Sequence, residues 1–154
     1  MIGVGNEDRG DDGVGPLVAS RLKPQAGDRF EVLECRGDGA GLMDAWKGAD
    51  TVIILDAALS GAESGTIHRI DASTQPMPKN FLHYSTHAFS VAEGVELARA
   101  LGELPRQVIV YGIEGENFDA GAALSPAVEK AAREVEALIL RDLDGVSNFP
   151  AHAE

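Results

Sequence analysis

The sequence predicts an α/β fold, a three-layer α/β/α sandwich around a twisted, mostly parallel sheet of about five strands. Three observations carry this. Residues 51–56 form an unbroken apolar run, Thr-Val-Ile-Ile-Leu, closed by Asp56. A continuous run is what burial on both faces demands, as at the centre of a parallel sheet. Strand-like and helix-like periodicities then alternate along the chain, the order that βαβ units require. Finally, the 18 glycines cluster between apolar runs without a fixed period, as in tight turns at strand ends.

In chain order, residues 1–5 read as a short strand ending at Gly5, followed by a polar loop from Asn6 to Asp12. Only Met1-Ile2 precede Gly3-Val4-Gly5-Asn6, whereas a strand commonly runs about five residues. Either this strand is short or the native start lies upstream. Residues 14–22 read as a helix with Val14, Leu17, Val18 and Leu22 on one stripe and Pro16 in its first turn. A second strand is expected over 30–35, then a glycine-rich loop over 37–41 and a short helix over 42–47. The central strand covers 51–56. Residues 65–71 alternate more and read as a strand nearer an edge. A helix over 87–101 carries Ala88, Ala92, Val95 and Ala98, and residues 107–113 form the last strand. A long helix spans 126–143, with Ser125 as N-cap, Pro126 at the first position, and Val128, Ala131, Ala132, Val135, Leu138 and Ile139 inward.

The 154 residues suit one domain, expected over 1–144 with a tail over 145–154. The net charge of −12 repels phosphate backbones and argues against a nucleic-acid partner. With Cys35 as its one cysteine, the chain can form no internal disulfide and no cysteine-based zinc site. No signal peptide is read at the start, and no apolar stretch approaches the roughly 20 residues that span a bilayer. A cytoplasmic location without membrane attachment is the expectation.

In open α/β sheets ligands bind in the crevice at the carboxyl ends of the strands. Three segments bring ionisable residues there: the loop with Asp8, Asp11 and Asp12, the strand end at Asp56, and the segment with His83 and His87. Each has a plainer reading. Asp11 or Asp12 can cap the following helix, Asp56 can hydrogen-bond a neighbouring loop, and His87 can be a structural histidine. His83 and His87 are spaced i, i+4 as zinc-gripping pairs are, but the glutamate of the zincin motif does not follow His83. Taken together, two carboxylates and one imidazole from three loops can bind a divalent transition metal, with zinc or nickel preferred over magnesium. Three protein ligands leave positions open for water or a substrate group. Gly3-Val4-Gly5 looks like the start of a dinucleotide fingerprint, but Asp8 stands where the third glycine belongs, and Glu7-Asp8 would repel a pyrophosphate. Peptidyl-tRNA hydrolases open on a similar glycine–asparagine turn; the histidine that follows it there, and their basic face, are missing here.

The combination resembles the hydrogenase maturation proteases. Gly3-Val4-Gly5-Asn6 with Asp11-Asp12-Gly13-Val14-Gly15 is similar to that family's opening signature. Leu55-Asp56-Ala57 resembles its second acidic motif and Thr86-His87 its histidine. Gly115-Glu116-Asn117-Phe118 through Gly121, then Leu124-Ser125-Pro126, resembles its late motif. The likeness runs from residue 2 to about residue 141. It implies a phosphorylase/hydrolase-like sandwich and an endopeptidase that removes the C-terminal extension of a nickel–iron hydrogenase large-subunit precursor. It further implies nickel supplied by the substrate as the recognition element, and no organic cofactor. Carried over by position, Asp12, Asp56 and His87 are the expected metal contacts and catalytic residues, with Asp11 a competitor for the first place. The family often has Glu at that first place. The loop after the second strand, acid–Gly–Gly in several relatives, reads Glu34-Cys35-Arg36-Gly37-Asp38-Gly39 here, which puts the substrate contacts of that loop in doubt. A different class of function, a nickel-binding chaperone without hydrolysis, is the alternative.

Overall fold

The computed structural model describes residues 1–36, 39–79, 81 and 90–147. Its strands are β1 (Ile2–Val4), β2 (Leu33–Cys35), β3 (Thr51–Ala58), β4 (Ile67–Asp71) and β5 (Gln107–Glu114). Its helices are α1 (Val14–Ala26), α2 (Gly39–Ala45), α3 (Val91–Ala100) and α4 (Pro126–Ser147), and a 3₁₀ turn over Gly10–Gly13 leads into α1. The strands form one sheet in the order β2-β1-β3-β5-β4. All pairings are parallel except β4 with β5. The alternating segment is thus the edge strand, as its pattern predicts.

Side chains of β3 and β5 alternate between two cores, which is why their sequences read as unbroken apolar runs. Ile53, Leu55, Ile109 and Tyr111 pack with Val14, Val18 and Leu22 of α1 and Val128, Val135 and Ile139 of α4. Ile54, Val108 and Val110 pack with Leu42 and Trp46 near α2 and Val91 and Val95 of α3. Each fully buried side chain of this size contributes about 1.5–3 kcal/mol relative to exposure. Parity places Asp56 and Gly112 on the face that α3 covers, since Ile54 and Val110 lie there.

Several boundaries differ from the sequence expectation. Strand β3 continues past Asp56, because Ala57 and Ala58 pair with Ile113 and Glu114. Asp56 therefore lies inside the strand and not at its end. Strand β2 begins at Leu33; Phe30 packs against the core from outside the strand. Helix α1 runs on to Ala26 with Pro24 inside it, and α4 reaches Ser147, beyond the expected start of the tail. The predicted start of the third helix, with Ala88, lies outside the described residues. Within them α3 opens on Ser90, whose hydroxyl accepts the Glu93 N–H while the Glu93 carboxylate accepts the Ser90 N–H. This reciprocal box is an N-terminus signal that apolar spacing alone passes over.

Close approach at two glycines brings α1 over the sheet. A Cβ at Gly15 would stand 2.2 Å from the Val4 carbonyl oxygen and 2.7 Å from that of Leu55. At Gly5, where φ is +141°, a Cβ would stand 1.9 Å from the Asp12 carbonyl oxygen. Only glycine lets α1 and the 3₁₀ turn before it lie directly on the carboxyl end of β1 and on Leu55 within β3.

On the same face of the sheet, toward α4, the buried Tyr111 hydroxyl donates to the Asp142 carboxylate, which also takes two hydrogen bonds from Arg69 at 3.1 and 3.2 Å. Burial, then the Asp142 hydrogen bond, pushes the Tyr111 phenol up to about 12. Tyr111→Phe is expected to cost about 1–2 kcal/mol, because it removes one hydrogen bond to a charged partner and leaves the rest of the cluster in place. Thermal melting followed by circular dichroism checks this; an unchanged Tm would show that the phenol adds nothing to the α4–sheet contact.

Candidate active site

Strand order reverses at β1: one crossover leads outward to β2 and the next returns to β3 on the opposite side. Such a switch point leaves a crevice between the two strands. Both predicted acids are there. Asp12, 5% exposed, sits in the 3₁₀ turn above β1, and its Oδ2 accepts the Asn6 N–H at 2.9 Å. Asp56, also 5% exposed, stands in β3, and its Oδ1 accepts the Ala57 N–H at 2.8 Å. Burial first, and the negative charge of Asp12 second, push the Asp56 carboxyl well above the ordinary carboxylate range. Two acids held this way relieve their repulsion by keeping a proton or by binding a cation.

Asp11 has a different occupation. Its Oδ1 accepts the Ser125 N–H at 2.7 Å, and its Oδ2 accepts the N–H groups of Glu116 and Asn117 at 2.8 and 3.0 Å and the Ser125 hydroxyl at 2.7 Å. Burial pushes its pKa up, but the backbone hydrogen bonds and the hydroxyl together hold it below 3.8. Asp11 thereby ties the Asp12 turn to the stretch between β5 and α4. Within the late motif, Glu116, Asn117 and Ser125 supply the donors. The Ser125 hydroxyl, expected as a helix cap, donates to Asp11.

His83 and His87 lie outside the described residues. Among the described residues no group of three or more His, Cys, Asp or Glu converges on a point where a metal could sit. A third ligand for Asp12 and Asp56 would have to come from elsewhere in the chain or from a substrate. The described chain leaves toward residue 87 from Phe81, whose ring would be 3.0 Å from a Cβ placed on Gly112, the β5 partner of Asp56.

Beside the Asp12 turn a cleft of about 230 Å³ opens between the ends of β1 and β2, lined by Gly5, Asn6, Glu7, Pro16, Glu34, Cys35 and Arg36. Cys35 is half-buried and its carbonyl accepts the Gly5 N–H at 2.9 Å. A larger cavity, about 690 Å³, lies at the opposite ends of β3 and β5 near Asp50 and Arg106. It lies away from the buried acids. Sequence reading passed over Glu114, a fully buried carboxylate on the same face as Asp56; it stands at the end of an apolar strand, a place where a single acid gives no pattern.

A family model described as hydrogenase maturation protease matches residues 16–142. The chain belongs to that family. A putative hydrogenase maturation protease of Methanocaldococcus jannaschii is 33% identical over 152 residues, which cover 93% of this chain and 94% of that one. The hydrogenase expression/formation protein HupD of Thiocapsa roseopersicina is 26% identical over 133 residues; the match covers 84% of this chain but only 60% of HupD's length. In structure, this family member is similar to the hydrogenase maturating endopeptidase HybD from E. coli, with a TM-score of 0.73 at 22% identity, covering 94% of this chain and 91% of that one. That likeness bears out the predicted sandwich and its mostly parallel five-stranded sheet. Among the described residues of this protease-family chain, no helix is long and apolar enough to cross a membrane.

Proposed function

We propose that this family member is an endopeptidase that cuts the C-terminal extension from a nickel-loaded hydrogenase large-subunit precursor, recognising the nickel in that substrate through Asp12, Asp56 and His87. The observation that carries the proposal is the pair of buried carboxylates at the switch point, with Asp56 raised by burial and by Asp12. A cation presented by a substrate neutralises that pair. The two acids alone make an incomplete site, which suits a metal that arrives already held by another protein. Chain length supports the third contact. Position 87 lies six chain steps beyond Phe81, a reach of up to about 20 Å.

Held against the nickel, the scissile peptide becomes an oriented neighbour of the acids instead of a diffusing one. In the hydrolytic step a water oxygen attacks the scissile carbonyl carbon. Its proton passes to a carboxylate, and the departing amine takes a proton back. A carboxyl raised toward neutrality, as Asp56 is, is better matched to both transfers than an ordinary one.

The test is a gel assay on purified large-subunit precursor, with and without nickel. The loaded precursor is expected to shorten at its C-terminus, and the nickel-free form to be cut at least about 10-fold more slowly, the size of a lost orienting contact. Equal cutting of both would remove nickel from recognition. Tight nickel binding by the isolated protein without any shortening would instead make it a metal chaperone. We further infer a cytoplasmic site of action.

A further inference from the structure

Glu114 ends β5 on the same face as Asp56, two residues beyond Asp56's partner Gly112 and 1% exposed. Two residues along one strand and one strand across amount to about 8 Å between backbone positions. A buried carboxylate is costly unless its oxygens are satisfied. Here Oε1 accepts the N–H groups of Ser60 and Gly61 at 2.7 and 2.8 Å. Oε2 accepts the Ser60 hydroxyl at 2.9 Å and lies 3.3 Å from His68 Nε2. None of these partners belongs to the acid pair.

Both oxygens lead to Phe81 by separate routes. The turn gripped by Oε1 begins at Leu59, whose N–H donates to the Phe81 carbonyl at 3.1 Å. The imidazole at Oε2 meets the Phe81 ring edge to face, with centroids 4.8 Å apart. Phe81 in turn lies against Gly112, the partner of Asp56 across the sheet. A closed circuit of contacts therefore fixes Phe81, by main chain and by ring, against the strand pair that carries Asp56. The circuit is also economical in entropy, since one buried acid immobilises a turn and a ring together. Leu59 remains 52% exposed although its backbone is held on both sides, so burial of its side chain is not what shapes the turn.

We infer that Glu114 is a positioning residue: through the 59–61 turn and His68 it fixes Phe81 beside Asp56, and so sets where the chain departs toward His87. The catalytic part of this inference rests on the peptidase reading above; the structural part does not.

The experiment compares the wild-type chain with Glu114→Ala, Glu114→Gln and His68→Ala. Hydrogen exchange of the Leu59 amide is read first, because that amide bonds to Phe81 and not to Glu114. Glu114→Ala is expected to lower its protection at least 10-fold while the Val110 and Ile54 amides keep theirs. Unchanged protection at Leu59 would overturn the inference whatever the enzyme does. Cleavage of nickel-loaded precursor is read second, per folded molecule. Glu114→Ala is expected to lower kcat at least 10-fold with KM within about 2-fold, the pattern of misplaced reacting groups. Glu114→Gln, which retains an acceptor for the turn, restores kcat to within about 3-fold. If Glu114→Ala does not fold, His68→Ala carries the test, since it opens one route and leaves Ser60 on Glu114; its kcat is expected to fall 3- to 10-fold. Wild-type kcat in folded Glu114→Ala, or in His68→Ala where that variant carries the test, would overturn the positioning role. An inactive wild-type chain would overturn the peptidase reading alone, with the exchange result still deciding the role of Glu114.

Discussion

Asp56→Asn stops precursor processing, with an expected loss of about 10³-fold in kcat/KM, while the protein folds and melts higher than the wild type. The activity loss is the size expected when a group that both contacts the metal and moves protons is removed. The stability gain has the opposite origin. Burial and the neighbouring Asp12 charge disfavour the ionised Asp56, so its folded pKa lies above 3.8. Between the unfolded and folded values the native state keeps a proton that the unfolded chain has released. Stability from this group is thus fully present below 3.8 and is lost as pH rises through the folded pKa. The asparagine does not titrate, and its amide can still accept the Ala57 N–H. The Tm difference between variant and wild type should therefore be small near pH 4 and grow toward pH 8. Melting curves across that range and a precursor cleavage gel check both halves. Full cleavage by the variant would end the assignment of Asp56.

Asp11→Ala has the largest expected effect on stability, a loss of about 3–5 kcal/mol, through its three backbone N–H partners and one hydroxyl. For a chain of this length that corresponds to a Tm lower by roughly 10 °C. Truncation leaves the buried Ser125 N–H and hydroxyl, and the partly buried N–H groups of Glu116 and Asn117, without their charged acceptor, and the penalty of orphaned buried donors exceeds the net worth of the bonds. The pH dependence runs opposite to that of Asp56. With the folded pKa held below 3.8, the contribution of Asp11 is fully present above that value and is lost as pH falls through the folded pKa. Urea unfolding of the variant at neutral pH and in acid measures both effects. A variant that unfolds at the wild-type urea midpoint would show that the tie between the Asp12 turn and Ser125 is slack.

These two neighbours show how far local pattern carries. Asp11 and Asp12 are adjacent identical residues before a helix, and either suits a cap or a ligand. The structure separates them by their partners: Asp11 binds backbone from beyond residue 114, while Asp12 faces the strand carrying Asp56. Nothing within a dozen residues of Asp11 encodes that difference. Asp56 was legible because a carboxylate after four apolar residues is conspicuous, although the strand continues through Ala57 and Ala58, whose small side chains fit either a strand end or its interior. Glu114 was not legible, since its reason for burial lies in Ser60, Gly61 and His68, on two other segments.

Periodicity, turn chemistry and the order of apolar runs were enough to establish the sandwich, the central β3 and the edge position of β4, because those depend on which side chains escape water within one segment. Motif spacing was enough to nominate Asp12 and Asp56. Which acid supports the turn and which faces the crevice, and why Glu114 is buried, required the folded chain. Those are pairings between residues 46 to 114 positions apart, and a hydrogen bond at that separation leaves no periodic trace in either partner's own neighbourhood.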